Sequence, residues 1–141
     1  MNRPDYGARM GIELKKDAID LGICVSDIEA SLGFYRDLLG LPYERSMPAG
    51  GGNTIHFLSC GSTNIKLWEV AKPPAAAFRG GFHEMAGYRY LTITVGNLDE
   101  VVAEAERAGV KLMVPITELG PGIRIAILND PDGNPVELLA G

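Results

Sequence analysis

Four side chains suited to acid–base chemistry stand at polar positions of strand-like runs. Successive side chains of a strand point to opposite faces, so the polar members of each run share one face. An ammonium group near two carboxylates also satisfies charges that are costly to bury alone. Asp20, Lys66, Tyr90 and Glu137 are therefore candidates for a catalytic site, and a salt-bridged network without function is the alternative.

The chemistry that these residues suggest is proton transfer next to a carbonyl group. The Lys66 ammonium is suited to stabilise an enolate or a carboxylate, while Glu137 or Asp20 acts as the base. Desolvation raises the pKa of such a carboxyl group and a neighbouring ammonium lowers it, so both outcomes stay open. We predict a protein that binds a small organic molecule, with a metal-independent lyase or isomerase as its enzymatic form.

Two aromatic residues and one cation are candidates for substrate binding. Trp68 shares a face with Lys66 and is either a flat wall of the pocket or a core aromatic, and Phe57 is a further candidate. Arg124 falls opposite Leu139 if a direct turn joins their strands. It would then hold an anionic ligand bidentately, whereas as an exposed edge residue it would have no role.

The histidines, His56 and His83, are also candidates for the substrate site. His56 lies within a strand whose face depends on the length of the following turn, because a slip of one residue reverses the face. His83 lies in a connector between the two halves. For both residues a structural role is the alternative.

The elements that must position these side chains occur twice along the chain. Each half reads as a strand, an amphipathic helix and three further strands, which defines a βαβββ module. The helices follow polar caps at Ser26 and Asn97, each with a glutamate three residues later, and end at Gly40 and Gly109. The predicted strands are 19–25, 43–47, 54–59 and 64–70, and then 89–95, 111–116, 123–128 and 135–139.

This repeat predicts an α+β fold of two tandem modules with a shared pocket at their join. The predicted segments are a loose N-terminal arm (1–16), a first module (17–70), a connector or lid (71–87) and a second module (88–141). A lid would bring further side chains to the pocket, namely Phe78, Arg79, Phe82 and His83.

Composition excludes several classes of protein. The 141 residues are 46% hydrophobic and 22% charged, with a net charge of -5 and scattered basic residues, which argues against a nucleic-acid surface. We find neither an export signal nor a run of about 20 apolar residues that would span a membrane. Cys24 and Cys60 lie in strands and are expected to be buried hydrophobes of a cytoplasmic protein.

Two motifs carry a resemblance to a known family. F-Y-x-x-x-L-G lies within residues 25–41, and D-P-x-G-x-x-x-E-L lies within residues 129–138. With the repeat, they resemble the vicinal oxygen chelate superfamily, which includes glyoxalase I, methylmalonyl-CoA epimerase, fosfomycin-resistance transferases, extradiol dioxygenases and bleomycin-binding proteins. The resemblance covers residues 18–140. It implies curved, mostly antiparallel sheets that form a cup around a small molecule, with helices outside, in a homodimer.

The resemblance also implies where a metal would bind. In metal-bearing members four side chains project into the cup, and these positions fall here on Asp20, Lys66, Tyr90 and Glu137. An ammonium and a phenol are poor ligands, so we expect no metal cofactor. The alternatives are a metal-dependent epimerase, lyase or dioxygenase that uses Asp20 and Glu137 with a histidine, and a drug-sequestering protein without turnover.

Overall fold

The computed structural model describes Asp5, residues 13–74, Ala76 and residues 87–141. Most of the predicted arm lies outside these residues. The same holds for the residues of the predicted lid, including the substrate-site candidate His83. In the described part of the chain, no helix has the length and apolar character needed to cross a membrane.

Each half of the chain folds as a βαβββ module. The first contains β1 (Leu21–Val25), α1 (Ile28–Leu32) with a π-helical continuation (Gly33–Leu38), β2 (Tyr43–Pro48), β3 (Thr54–Cys60) and β4 (Thr63–Glu69). The second contains β5 (Leu91–Thr94), α2 (Leu98–Arg107), β6 (Leu112–Gly120), β7 (Ile123–Asn129) and β8 (Pro135–Ala140).

The two four-stranded sheets have the same topology. Their strand orders are β1-β4-β3-β2 and β5-β8-β7-β6. The first strand of each module pairs in parallel with the last, and the remaining neighbours are antiparallel. The predicted α+β fold of two tandem, mostly antiparallel modules is therefore confirmed.

One hydrophobic core holds both modules together. It is built from one face of each sheet and from the apolar sides of both helices. We call this side of each sheet the helix face and the opposite side the helix-free face. The buried core residues include Leu32, Tyr35, Leu58 and Leu67 from the first module and Leu98, Val102, Leu128 and Leu138 from the second.

The start of α1 differs from the predicted cap. Asp27 caps the helix, because its side chain accepts hydrogen bonds from the backbone amides of Glu29 and Ala30. Ser26 instead bonds the Asp132 carboxylate of the second module through its backbone amide and its hydroxyl. The residue predicted to cap the helix therefore joins the modules.

The cysteines also differ in part from expectation. Both are free thiols, but Cys24 is exposed and Cys60 is partly buried. Cys24 pairs with Trp68 on the helix-free face of the first sheet, whereas Cys60 packs against the shared core. The prediction of two buried cysteines is therefore wrong for Cys24, because β1 is half-covered and only its other side faces the helices.

A buried hydrogen bond joins the modules inside this core. The Tyr35 hydroxyl donates to Oδ2 of Asp130 across 2.6 Å, and these residues are 0% and 4% exposed. The Asp130 carboxylate also accepts hydrogen bonds from the backbone amides of Asp132 and Asn134 and from the Asn134 side chain. Burial and the neighbouring Asp130 carboxylate raise the pKa of Tyr35 far above its usual value.

Removal of the Tyr35 hydroxyl should weaken the joint between the modules. Tyr35→Phe keeps the ring but deletes a donor to a buried carboxylate, so we expect a loss of about 2 kcal/mol in the free energy of unfolding at pH 7. Because the folded-state pKa is raised, the stability from neutral Tyr35 should be complete below the ordinary pKa of about 10 and fall as the pH rises above it.

Urea unfolding at pH 7 and at alkaline pH measures both effects. Tyr88→Phe is the matched control, since Tyr88 is 100% exposed. Two results would contradict this role of Tyr35. One is a Tyr35→Phe variant as stable as the control at pH 7, and the other is a variant that loses as much stability as the parent when the pH is raised.

Candidate functional site

The register of the first sheet brings three candidate residues to its helix-free face. Phe57 on β3 pairs with Lys66 on β4, and Ile55 pairs with Trp68 on the same side. Along its other edge β4 pairs with β1, and there Gly22 lies beside Lys66. Lys66, Trp68 and Phe57 therefore share one face, opposite the helices.

Two cations lie near the ring of Phe57. Cζ of Arg45 is 3.8 Å from the ring centroid, and Nζ of Lys66 is 5.9 Å from it. Phe57 is 8% exposed. Sequence analysis missed Arg45, because the pairing of β2 with β3 shifts between Tyr43 and Arg45, and such a bulge redirects the side chains that follow it.

The second sheet holds Glu137 on its own helix-free face. Glu137 on β8 pairs with Thr92 on β5, and the Thr92 hydroxyl donates to Oε1 of Glu137 across 2.8 Å. Tyr90 directly precedes β5 and is 54% exposed. Thr92 was also missed, although its place two residues after Tyr90 on the polar side of the strand was a usable indication.

Asp20 has a partner other than the one expected. Its Oδ1 accepts from Nζ of Lys16 across 2.6 Å and from the Asn64 backbone amide across 2.8 Å. The Lys16 hydrogen bond, then that of Asn64, lower the pKa of Asp20, with Lys66 a minor contributor. In the described ranges Lys66 forms no ion pair, so the predicted salt bridges from Lys66 to the two carboxylates are absent.

Arg124 lies on the helix face and not on the side of Glu137. It pairs with Ala140 instead of Leu139, because the connection between β7 and β8 comprises residues 130–134, and this slip of one residue reverses the face. Its guanidinium bonds both carboxylate oxygens of Asp99 on α2, at 3.0 and 2.9 Å. The Arg124 hydrogen bond lowers the pKa of Asp99. The prediction that Arg124 faces the pocket is therefore wrong.

His56 also lies on the helix face, opposite in direction to Lys66. It pairs with the core residue Leu67, and its side chain is 14% exposed. Nδ1 lies 2.7 Å from the Tyr43 hydroxyl and Nε2 lies 2.8 Å from Oε1 of Glu69. His56 therefore joins β2, β3 and β4 structurally and does not share a face with the other candidates.

A crevice of about 590 Å³ lies elsewhere, on the helix side of the molecule. It runs between the π-helical segment, the end of α2 and the connection between β7 and β8. Its walls include Gly33, Phe34, Lys111, Asn129 and Asp130, and none of the candidate site residues lines it.

Comparison with known proteins decides the family. A sequence model of the Glyoxalase/Bleomycin resistance protein/Dioxygenase superfamily matches residues 18–138. The chain belongs to this superfamily. The uncharacterized protein YwkD of Bacillus subtilis (strain 168) is 33% identical over 127 residues, which cover 89% of this chain and 97% of the relative.

Solved structures of the glyoxalase family share the fold. A glyoxalase family protein from Bacillus cereus superposes with a TM-score of 0.78 at 20% identity, covering 94% of this chain and 97% of that protein. The trypanothione-dependent glyoxalase I of Leishmania major superposes with a TM-score of 0.67 at 26% identity, covering 85% and 83% of the two chains.

The residues of this superfamily member do not fit a divalent metal at the positions that metal-bearing relatives use. Lys66 contributes an ammonium, which has no lone pair, and Asp20 is already engaged by Lys16 and an amide. Across Asp5, 13–74, Ala76 and 87–141, no group of three or more His, Cys, Asp or Glu side chains is placed to hold a metal ion.

The placement of Arg124 can be tested by comparing it with its partner. Arg124→Met and Asp99→Asn should each lower the thermal midpoint slightly, and this loss relative to the parent should shrink at high salt, because the pair is exposed. Neither change should alter small-molecule binding as measured by Trp68 fluorescence. Weaker binding by Arg124→Met with normal binding by Asp99→Asn would contradict the placement.

Proposed function

We propose that this superfamily member binds a small organic molecule at the helix-free faces of its two sheets and transfers a proton on it, as a metal-independent lyase or isomerase. Membership of the superfamily supports small-molecule chemistry. The observation that carries the proposal is the setting of the Glu137 carboxylate, which accepts a hydrogen bond from a hydroxyl and forms no ion pair with any residue in the described ranges.

Glu137 has the arrangement that a general base needs. Its Oε1 is held by Thr92, while Oε2 receives no hydrogen bond from any residue in the described ranges. No Lys, Arg or His among those residues lies within 4.0 Å of its oxygens. One oxygen therefore fixes the carboxylate and the other is available to accept a proton.

Lys66 supplies the complementary charge in this proposal. Oε2 of Glu137 takes the proton from a carbon next to a carbonyl group, and the electron pair of the broken C–H bond forms a carbon–carbon double bond. The carbonyl oxygen then becomes an enolate oxygen, which the Lys66 ammonium stabilises. Return of the proton to a different position completes an isomerisation, and loss of a leaving group from the next carbon completes a lyase reaction.

The proposal extends to the oligomeric state and the location of the protein. We propose a homodimer, supported by large apolar side chains that lie exposed: Ile19, just before β1, is 82% exposed and Leu119, on β6, is 64% exposed. We also propose a cytoplasmic location, supported by two free thiols without a disulfide.

Proton transfer by Glu137 is tested by hydrogen–deuterium exchange. The purified protein is incubated in D₂O with a panel of 2-oxo acids and hydroxyketones, and carbon-bound deuterium is followed by NMR. Glu137→Gln should reduce catalysed exchange by about 100-fold or more, because it removes the base. Thr92→Val should reduce it less, because the carboxylate remains but loses its orientation.

Glu118→Gln provides the control, since Glu118 pairs with Arg124 on the helix face. Exchange that is equal in Glu137→Gln and the parent would show that another group is the base. If a compound binds but no deuterium exchange occurs, the protein sequesters the compound without turnover and the enzymatic proposal is wrong.

Native mass spectrometry of freshly purified protein tests the remaining parts. We expect the mass of a dimer without stoichiometric divalent metal, because the donor set does not suit one. Exchange activity should also survive treatment with a chelator. A stoichiometric metal whose removal abolishes exchange would overturn metal independence, and a monomer mass at micromolar concentration would overturn the dimer.

A further inference from the structure

We infer that Arg45 and Lys66 form an anion-binding site over the ring of Phe57, and that this site takes the oxyanion end of a flat, conjugated ligand. The inference rests on the proposed function in one respect, namely that the helix-free face of the first sheet contacts the ligand. It adds the chemical class of that ligand.

The three residues form a row across the sheet. Phe57 on the central strand pairs with Arg45 on one side and with Lys66 on the other. Neighbouring strands lie about 4.8 Å apart, so the two cations flank one aromatic ring. Their distances from its centroid, 3.8 and 5.9 Å, lie within the range of cation–π attraction.

Neither cation forms an ion pair with a carboxylate in the part of the chain that the structure describes. Within the described ranges, Lys16, Arg36 and Arg124 each form an ion pair with an aspartate. Arg45 and Lys66 form none, and Nη1 of Arg45 donates to Sδ of Met47 across 3.4 Å. In a chain of net charge -5, two neighbouring cations are thus left without a carboxylate partner. Such a pair is suited to an oxyanion.

The surroundings of the pair suit a flat molecule. Trp68 lies beyond Lys66 on the same face of β4 and supplies an aromatic surface. Gly22 pairs with Lys66 from β1 and adds no side chain. A Cβ atom built at Gly22 would lie 3.8 Å from Nε1 of Trp68, which is an ordinary van der Waals distance, so the edge of the indole packs close to this glycine. A conjugated ligand can stack on the indole while its oxyanion meets the two cations.

Trp68 is the single tryptophan of the chain and can report the local charge. We measure quenching of its fluorescence by iodide, caesium and acrylamide, which are an anion, a cation and a neutral quencher, at constant ionic strength. The parent should prefer iodide over caesium despite its negative net charge. Arg45→Met and Lys66→Met should each reduce the quenching constant for iodide about twofold. In the double variant, iodide should no longer quench more strongly than caesium.

Two kinds of control keep this result interpretable. Arg36→Met removes a charge of the same sign that is paired with Asp37, so its quenching should match the parent. Arg45→Lys and Lys66→Arg retain the charges and should retain the preference for iodide. The quenching constant for neutral acrylamide should be the same in the parent and in every variant if Trp68 keeps its position.

The ligand class is tested with three compounds that share one ring: benzoate, benzamide and benzylamine. Benzoate should bind about tenfold more tightly than benzamide, because its carboxylate gains charge-assisted hydrogen bonds, and benzylamine should bind least. The advantage of benzoate should disappear in the Arg45→Met Lys66→Met double variant.

The outcomes separate this inference from the proposed function. Loss of exchange activity in Glu137→Gln does not bear on iodide quenching, so an iodide preference without proton transfer supports the anion site alone. An iodide preference that is absent, or unchanged in the double variant, overturns the inference. Failure of benzoate to bind more tightly than benzamide also overturns it, even where Glu137 proves to be the base.

Discussion

The shared core between the two modules is the constraint on which the rest of the structure depends. A four-stranded sheet with one helix buries only one of its faces, so each module covers its helix with the help of the other. The buried bond from Tyr35 to Asp130 and the contact of Ser26 with Asp132 join the modules at this core. Because the helices occupy one face of each sheet, the opposite faces are left for other contacts.

Charge is divided unequally between those opposite faces. The first sheet carries Arg45 and Lys66 beside aromatic rings, and the second carries Glu137 beside a threonine hydroxyl. On the helix face of the second sheet, by contrast, Arg124 and Asp99 pair with one another. Groups left unpaired at a partly desolvated surface interact more strongly with a ligand than paired groups do, and this is the physical basis of both proposals.

Much of the local pattern could be read directly from the chain. Alternation along β4 places Lys66 and Trp68 on the same face. Alternation along β8 places Glu137 on the face opposite to its core neighbours Val136 and Leu138. These relations depend only on the period of a strand. The proposed roles of Asp20, Lys66, Tyr90 and Glu137 stay predictions, although Asp20 is already bonded to Lys16.

The sequence by itself determined the repeated modules, their family and the polar side of each strand, because periodicity, turn residues and helix ends are local properties. Only the tertiary structure decided which polar residues meet. A one-residue difference in the connection between β7 and β8 turned Arg124 toward α2, and a bulge in β2 brought Arg45 to Phe57. Register and bulges depend on pairing between distant segments, and a slip of one residue reverses a side chain.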